Sequence, residues 1–403
     1  MTRPLKILFV SPFYPYPEDK DGVRKILANL LSETVHEIEI VSLADDEDLA
    51  FHHARQEENE KLRFTLYPYK QTALSKMGKK LRWLFSRYPW LIVKYAKSLK
   101  AIQNYLINYG KHFDIIHLWT PALAHTMRTL PASILKKVVF SPIDSFSLFY
   151  QRRLSLMNSW KVLPLSYEYF KIKKMEKSYY PLARRTLFVS STDAHHFKKM
   201  VSHASVAVIP NGISDQFLVS KKTVKDPKSL LFLGHLDYPP NRDAVFYLCQ
   251  KLMPYLYKKD PSIHLKIVGK NHEKFFQFFK VPNITFEGFV DDIYACYQQA
   301  SFFICPLRFG SGIKNKVLEA MGSGLCVIGS PCSFEGIGGK HSETYIQVDS
   351  FSPEVWGKTI EKLMLNKDRQ RSISENAHSW IAKHHIWLGI RKRYDQVYEE
   401  CLA

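Results

Sequence analysis

Phe309 to Pro331 reads FGSGIKNKVLEAMGSGLCVIGSP: two glycines, then Lys314 and Lys316, then Glu319, then a second glycine pair and an apolar run. Arg308 lies just upstream. Glycine lets a backbone approach a ligand closely. A helix that starts at KNKVLEAMG would offer free amides and a partial positive charge to an anion. Lys314, Lys316 and Arg308 at that mouth suit a pyrophosphate, with Gly310 and Gly312 in the approach loop. Glu319 falls about one turn further in, where a carboxylate would repel phosphate but could accept two hydrogen bonds from a ribose diol. The spacing is not that of a Walker loop. A surface helix with ordinary charges is the competing reading of this stretch taken alone.

Such a site needs a strand ahead of it and a helix behind it. SFFICP supplies the strand and LRFGSGIKN the loop. Short apolar runs alternate with helical spacing along the whole chain: KILFV, HEIEIVSL, LRFTLYP, FDIIHLW, KKVVFS and RTLFVSS in the first half, then LLFLG, IHLKIVG, ITFEG, SFFICP and LCVIGSP in the second. That alternation predicts parallel sheets covered on both faces, an α/β protein of two doubly wound Rossmann-like domains. A length of 403 residues agrees with two domains. The break falls at Pro210-Asn211-Gly212 and the polar SKKTVKDPKS that follows. We expect a first domain over 1–212 and a second over 213–384, with a C-terminal helix at about 385–403 packing back on the first.

The bulk numbers narrow the function. Fifty-seven Lys and Arg stand against thirty-eight Asp and Glu, a formal charge of +19. The excess predicts an anionic partner: nucleic acid, a phosphate-bearing substrate or acidic lipid. No apolar run approaches the roughly 18 residues of a membrane span, and the N-terminus lacks a signal-peptide pattern. Cys249, Cys296, Cys305, Cys326, Cys332 and Cys401 form no CxxC pair, so reduced thiols in a cytoplasmic protein are expected.

Several segments taken together resemble family-four retaining glycosyltransferases of GT-B fold. PLRFGSGIKNKVLEAMGSGLCVIGSP resembles their donor segment, VAVIPNGI their interdomain motif and LLFLGHLDYPPNRDAV the loop opening their second domain. YPEDKDGVRKILANLL is similar to their first glycine loop and FDIIHLW to one of their strands. Bacterial exopolysaccharide transferases with the same DYxPN and GIxNKVLEAM patterns are the nearest likeness. The resemblance spans nearly the whole chain; Lys61 to Phe113 matches nothing. It implies transfer of a sugar from a nucleotide-sugar donor to a glycan or lipid-linked acceptor with anomeric configuration retained, in a cleft between the domains. Glu319 then holds the donor ribose, and Lys316 and Arg308 the diphosphate. Lys314 is a weaker candidate there. Gly22 lets the first domain approach the phosphates, and the backbone at Phe289 and Val290 meets the nucleobase.

The chain also departs from that pattern. Ser311 stands where many members carry a first glutamate that touches the donor sugar. After Gly234, His235 replaces a common arginine, and Asn241 and Arg242 stand where a lysine is usual, so Arg242, Lys314 and Lys316 become the expected cations. No cofactor is implied, and cations with helix amides make a metal unnecessary. Asp291-Asp292 reads as a helix cap rather than a metal pair. His117 is a candidate to orient the acceptor or sense the donor sugar, against the alternative of a hydrogen-bonded strand-end histidine. Asp144 is a candidate acceptor-side carboxylate or a helix cap. Lys61 to Phe113 contains no acid, and KMGKKLRWLFSRYPWLIV sets Met77, Leu81, Leu84 and Phe85 opposite Lys76, Lys79 and Arg82. The basic segment 70–100 therefore reads as an anionic-membrane element on the inner face of the plasma membrane, or as a charged face packed on the first domain. A sugar-nucleotide epimerase on the same scaffold and a basic nucleic-acid-binding protein are the alternatives; no nucleic-acid motif supports the second.

Overall fold

The computed structural model describes residues 3–17, 22–54, 60–69, 73–158, 160, 162–219, 226–271, 273–276, 278–279 and 281–403. The chain divides into two compact units, one of Met1–Ile209 with Ile390–Ala403 and one of Pro210–Gly389. Each is built on one parallel sheet, so the α/β doubly wound class expected from the alternating runs is what the chain adopts.

Unit 1 carries β1 (Lys6–Ser11), β2 (Glu37–Ala44), β3 (Leu62–Pro68), β4 (Ile115–Trp119), β5 (Val138–Ile143), β6 (Arg185–Phe188) and β7 (Val206–Val208) in the order β3-β2-β1-β4-β5-β6-β7. Unit 2 carries β8 (Ser229–Leu233), β9 (His264–Val268), β10 (Ile284–Gly288), β11 (Phe302–Cys305), β12 (Cys326–Gly329) and β13 (Ile346–Gln347) in the order β10-β9-β8-β11-β12-β13. Helices cover both faces, so the central strands are apolar throughout rather than alternating. Every residue of β4, β11 and β12 is buried, while β3 at an edge is mostly half-buried. In each sheet the strand order reverses beside its first strand, between β1 and β4 and between β8 and β11. Ligands of doubly wound sheets bind outside the carboxyl ends of the strands at that reversal.

Burying all of β4 forces an account of His117, in the middle of the strand. Its ring is fully buried, with Nδ1 2.7 Å from the Tyr398 hydroxyl and Nε2 2.7 Å from the Ser141 hydroxyl. Burial pushes its pKa down to about 3, so the ring is neutral and shares protons with both hydroxyls. His117 is therefore a core residue and not a group that could meet a substrate, which corrects the catalytic expectation. Tyr398 lies on the helix Trp387–Leu402, whose end belongs to unit 1. Arg391 on that helix donates to the Asn29 carbonyl at 2.9 Å, and Asp395 lies 3.1 Å from Nε2 of buried His36.

The cysteines behave as small apolar residues. Cys249, Cys296, Cys305 and Cys326 are buried and none of the six forms a disulfide. Burial pushes the thiols of Cys249 and Cys326 up to about 12.

His117→Phe is expected to lower stability by about 2–4 kcal/mol, because it strands two buried hydroxyls. The native ring takes a proton only near pH 3 and the unfolded ring near 6.5, so the wild type loses stability as pH falls below 6.5. Urea titrations of both proteins at pH 7 and pH 5 check this: the gap between them should narrow at pH 5.

Candidate functional site

In unit 2 the reversal lies between β8 and β11, and the loops after those strands hold most of the expected donor residues. After β8 the backbone reaches Gly234, whose N–H donates to the Val268 carbonyl at 2.9 Å. A Cβ built on Gly269 would sit 1.9 Å from the Gly234 carbonyl oxygen, so the ends of β8 and β9 touch backbone to backbone and only glycine fits at 269. A Cβ on Gly234 itself would come within 2.6 Å of the Asn241 side-chain nitrogen. The helix after this loop begins at Pro239, two residues earlier than Asn241 would have opened it. Proline at the first helical position loses no intrahelical bond.

That start frees Asn241 for other work. It is buried, its amide donates to the His235 carbonyl at 3.0 Å, and its carbonyl oxygen accepts from the Lys316 ammonium at 2.6 Å. The Lys316 nitrogen also lies 4.1 Å from the centre of the Phe232 ring. Among the described residues no carboxylate pairs with it. Burial, with help from neighbouring Lys314, pulls its pKa down to about 8. Lys316 stands in the first turn of the helix Asn315–Gly322, whose N-cap, Lys314, makes no side-chain cap bond and whose first turn holds no acid. Gly312 precedes it with φ of 63°, a left-handed conformation that favours glycine. A cation short of counter-charge at a helix mouth is a site for an anion.

The other expected cations are placed differently. The Arg308 guanidinium closes on Asp243, donating from Nε to Oδ2 at 2.7 Å and from a terminal nitrogen to Oδ1. That fork is held by a carboxylate, so in this structure Arg308 braces the loop where a diphosphate contact was expected. Lys314 is buried; it donates to the Gly312 carbonyl at 2.9 Å and pairs with Glu335 at 3.4 Å. It shapes the loop rather than offering an open charge. Arg242 is exposed on its helix.

Glu319 lies one turn into the helix and is nearly buried; one carboxylate oxygen accepts from the Tyr297 hydroxyl at 3.1 Å. Tyr297 is kept neutral by burial and by that carboxylate. Ser311 is buried in the approach loop. Phe289 follows β10 and is 58% exposed, with the Lys270 ammonium 4.7 Å from its ring centre. Val290 beside it is half-buried. Asp292 caps the next helix, accepting from the Ala295 N–H at 3.1 Å. Asp243, Glu335 and Tyr297 were not anticipated, since nothing in their spacing marks them as partners of Arg308, Lys314 and Glu319. Asn211 donates to Asn315 at 2.9 Å and so ties the PNG turn to the start of the same helix, a link the punctuation alone did not show.

In unit 1, Gly22 opens the helix Gly22–Leu31; the loop residues 18–21 lie outside the described residues. Asp144 is half-buried just beyond β5, and the cap of the next helix is Ser145, which accepts from the Leu148 N–H at 3.3 Å. Asp144 follows Ile143, a β-branched residue at φ of 74°, and Thr120 at the end of β4 has φ of 91°. Such strain is held only where surrounding structure enforces it. Among the described residues no group of three His, Cys, Asp or Glu is arranged to hold a metal ion.

Two family models match the chain. The model described as Glycosyltransferase Family 4 covers residues 25–217 and the model described as Glycosyl transferases group 1 covers residues 227–366. An uncharacterized 44.6 kDa protein in the cps region of Klebsiella pneumoniae is 23% identical over 98% of this chain and 99% of its own length. Sucrose-phosphate synthase from Thermosynechococcus elongatus superposes with a TM-score of 0.72 at 15% identity, covering 98% of each chain. Anabaena HepE, in complex with UDP-glucose, superposes with a TM-score of 0.64 at 12% identity, covering 98% of this chain and all of its own. These likenesses show the GT-B fold.

Binding an anion raises the pKa of the cation that meets it. Pyrophosphate should therefore bind with net proton uptake near pH 8 and more weakly as pH rises through 8. Calorimetry in two buffers of different ionisation enthalpy measures both. Lys316→Ala should lose about tenfold or more in affinity at pH 7, and Lys316→Arg should bind without the decline above pH 8. Unchanged affinity in Lys316→Ala would remove Lys316 from the site.

Proposed function

This chain is a glycosyltransferase, with a family 4 domain in its first unit and a group 1 domain in its second, and from that premise we propose that it retains anomeric configuration while moving a sugar from a nucleotide-sugar donor to a glycan or lipid-linked acceptor. The observation that carries the proposal is Lys316: a half-buried lysine in the first turn of a helix whose N-cap makes no side-chain bond, with its ammonium bonded to a neutral amide. In this reading the donor diphosphate supplies the missing counter-charge. Lys316 and the backbone N–H groups of Asn315 and Lys316 hold it as the bond from the anomeric carbon to the diphosphate breaks and the acceptor hydroxyl bonds to that carbon, the hydroxyl proton passing to the departing diphosphate oxygen. Stabilisation by a cation and amides asks for no divalent ion.

Glu319 takes the ribose diol with the carboxylate that Tyr297 orients from behind. The backbone at Phe289 and Val290 faces the base. Ser311, in place of a carboxylate, leaves the sugar pocket less acidic, which bears on which sugar the donor carries. The UDP-glucose held by HepE supports a nucleotide-sugar donor, and the relative in a cps region supports a place in polysaccharide synthesis. The glycosyltransferase premise displaces the epimerase and nucleic-acid readings.

A thermal-shift panel of UDP-, GDP- and ADP-sugars tests the donor. At about 100 times its dissociation constant, the true donor should stabilise by about 2.7 kcal/mol. Glu319→Gln should lose most of that shift with the nucleotide-sugar while keeping the response to pyrophosphate. No shift with any nucleotide-sugar would overturn the proposal, and NMR of the product linkage would decide retention.

A further inference from the structure

Two segments of unit 1, far apart in sequence, are joined by hydrogen bonds and both expose bulky apolar side chains. The helix Val162–Tyr179 presents Leu163, Tyr167 and Phe170 along one stripe, 74%, 41% and 66% exposed. Trp160, just before it, is 76% exposed. The helix Ala73–Phe85 presents Leu81, Leu84 and Phe85, exposed by 63%, 50% and 83%. The two are joined directly. The Tyr167 hydroxyl donates to the Leu84 carbonyl at 3.0 Å, and Lys171 donates to the Trp83 carbonyl at 2.8 Å. Glu168 accepts from the Trp83 indole at 2.6 Å and from the Trp90 N–H at 2.7 Å. An apolar patch of this kind on a soluble surface marks an interaction site.

Charge selects the partner. Lys61 to Phe113 has no acid, and the second helix has two, Glu168 and Glu176. Both are buried: Glu168 in the joint just described, and Glu176 against Ser145 and Ser147. Lys80, Arg82, Arg87, Lys174 and Lys177 are exposed on the same two segments. The described outward side chains of the pair thus carry apolar groups and cations with no carboxylate. Lys76, Met77 and Lys79, part of the sequence expectation, lie outside the described side chains.

We propose that this composite face docks the protein on an anionic phospholipid bilayer, with Phe85, Trp160, Leu163 and Phe170 entering the headgroup boundary and the lysines and arginines meeting lipid phosphates. Bulky apolar residues ringed by cations suit that interface and no neutral one. No helix among the described residues is long and apolar enough to cross a membrane, so the contact is peripheral. The inference stands on unit 1 alone and does not rest on the donor reading.

Flotation of the full chain with vesicles tests it. Phosphatidylcholine vesicles containing phosphatidylglycerol should carry the protein up at low salt, and pure phosphatidylcholine vesicles should not. A Phe85→Ser, Phe170→Ser double variant should lose at least tenfold in partitioning. Lys174→Gln and Lys177→Gln should each lose about fivefold, the factor equal to about 1 kcal/mol per cation. All four side chains are exposed or set apart from the joint, and an unchanged melting temperature checks folding. Brominated lipid should quench tryptophan emission in the wild type and less in Trp160→Phe. Equal flotation on neutral vesicles, no flotation at all, full binding by the variants, or a dimer in ultracentrifugation that the Phe85→Ser, Phe170→Ser variant dissolves would each overturn the membrane assignment.

Discussion

A lysine ammonium held by a neutral amide is an unstable arrangement unless something else completes it. Lys316 loses part of its hydration where it packs over Phe232, and Asn241 returns one hydrogen bond but no charge. The cost of the remaining desolvation appears as a pKa drawn down to about 8. Much of unit 2 is arranged around that bond. Gly234 and Gly269 allow the strand ends to close up so that the loop after β8 can place Asn241. Asp243 and Glu335 occupy Arg308 and Lys314, which leaves Lys316 as the cation of that loop and helix start with no carboxylate partner among the described residues.

Pairing Arg308 and Lys314 internally has a second effect. A loop of two glycines and three cations would otherwise repel itself and sample many conformations. Internal pairing fixes the loop shape while the N-cap, Lys314, makes no side-chain bond to the helix amides. Glu319 is treated in the same way, since Tyr297 takes one carboxylate oxygen and thereby sets the direction of the other. The site is preorganised by neutral and charge-paired supports, so little reorganisation is left for the moment a diphosphate arrives.

Unit 1 uses its buried polar groups for a different purpose. His117 links β4 to the C-terminal helix through Tyr398, and Glu168 links its own helix to the helix of Trp83 and to the start of the next helix at Trp90. Each is a polar group whose burial is offset by hydrogen bonds to elements distant in sequence. The first brings the end of the chain onto the sheet. The second joins two separate amphipathic stretches.

Periodicity and punctuation made most of the architecture legible. Continuous apolar runs mark strands covered on both sides, and those runs are local, so KILFV, FDIIHLW, SFFICP and LCVIGSP could be placed without tertiary information. The glycine-lysine stretch was legible for the same reason, because a loop entering a helix is a local event, and so was the capping by Asp292. What the chain could not reveal on its own was which partner each charged group would find. Arg308 and Lys316 have the same sign and lie eight positions apart, yet one meets Asp243 and the other Asn241. His117 carried the same titratable ring whether it faced solvent or Tyr398, 281 residues away. Pairings of that kind depend on strand order and helix packing, which bring together residues whose separation along the chain carries no signal, and so only the folded structure decided them.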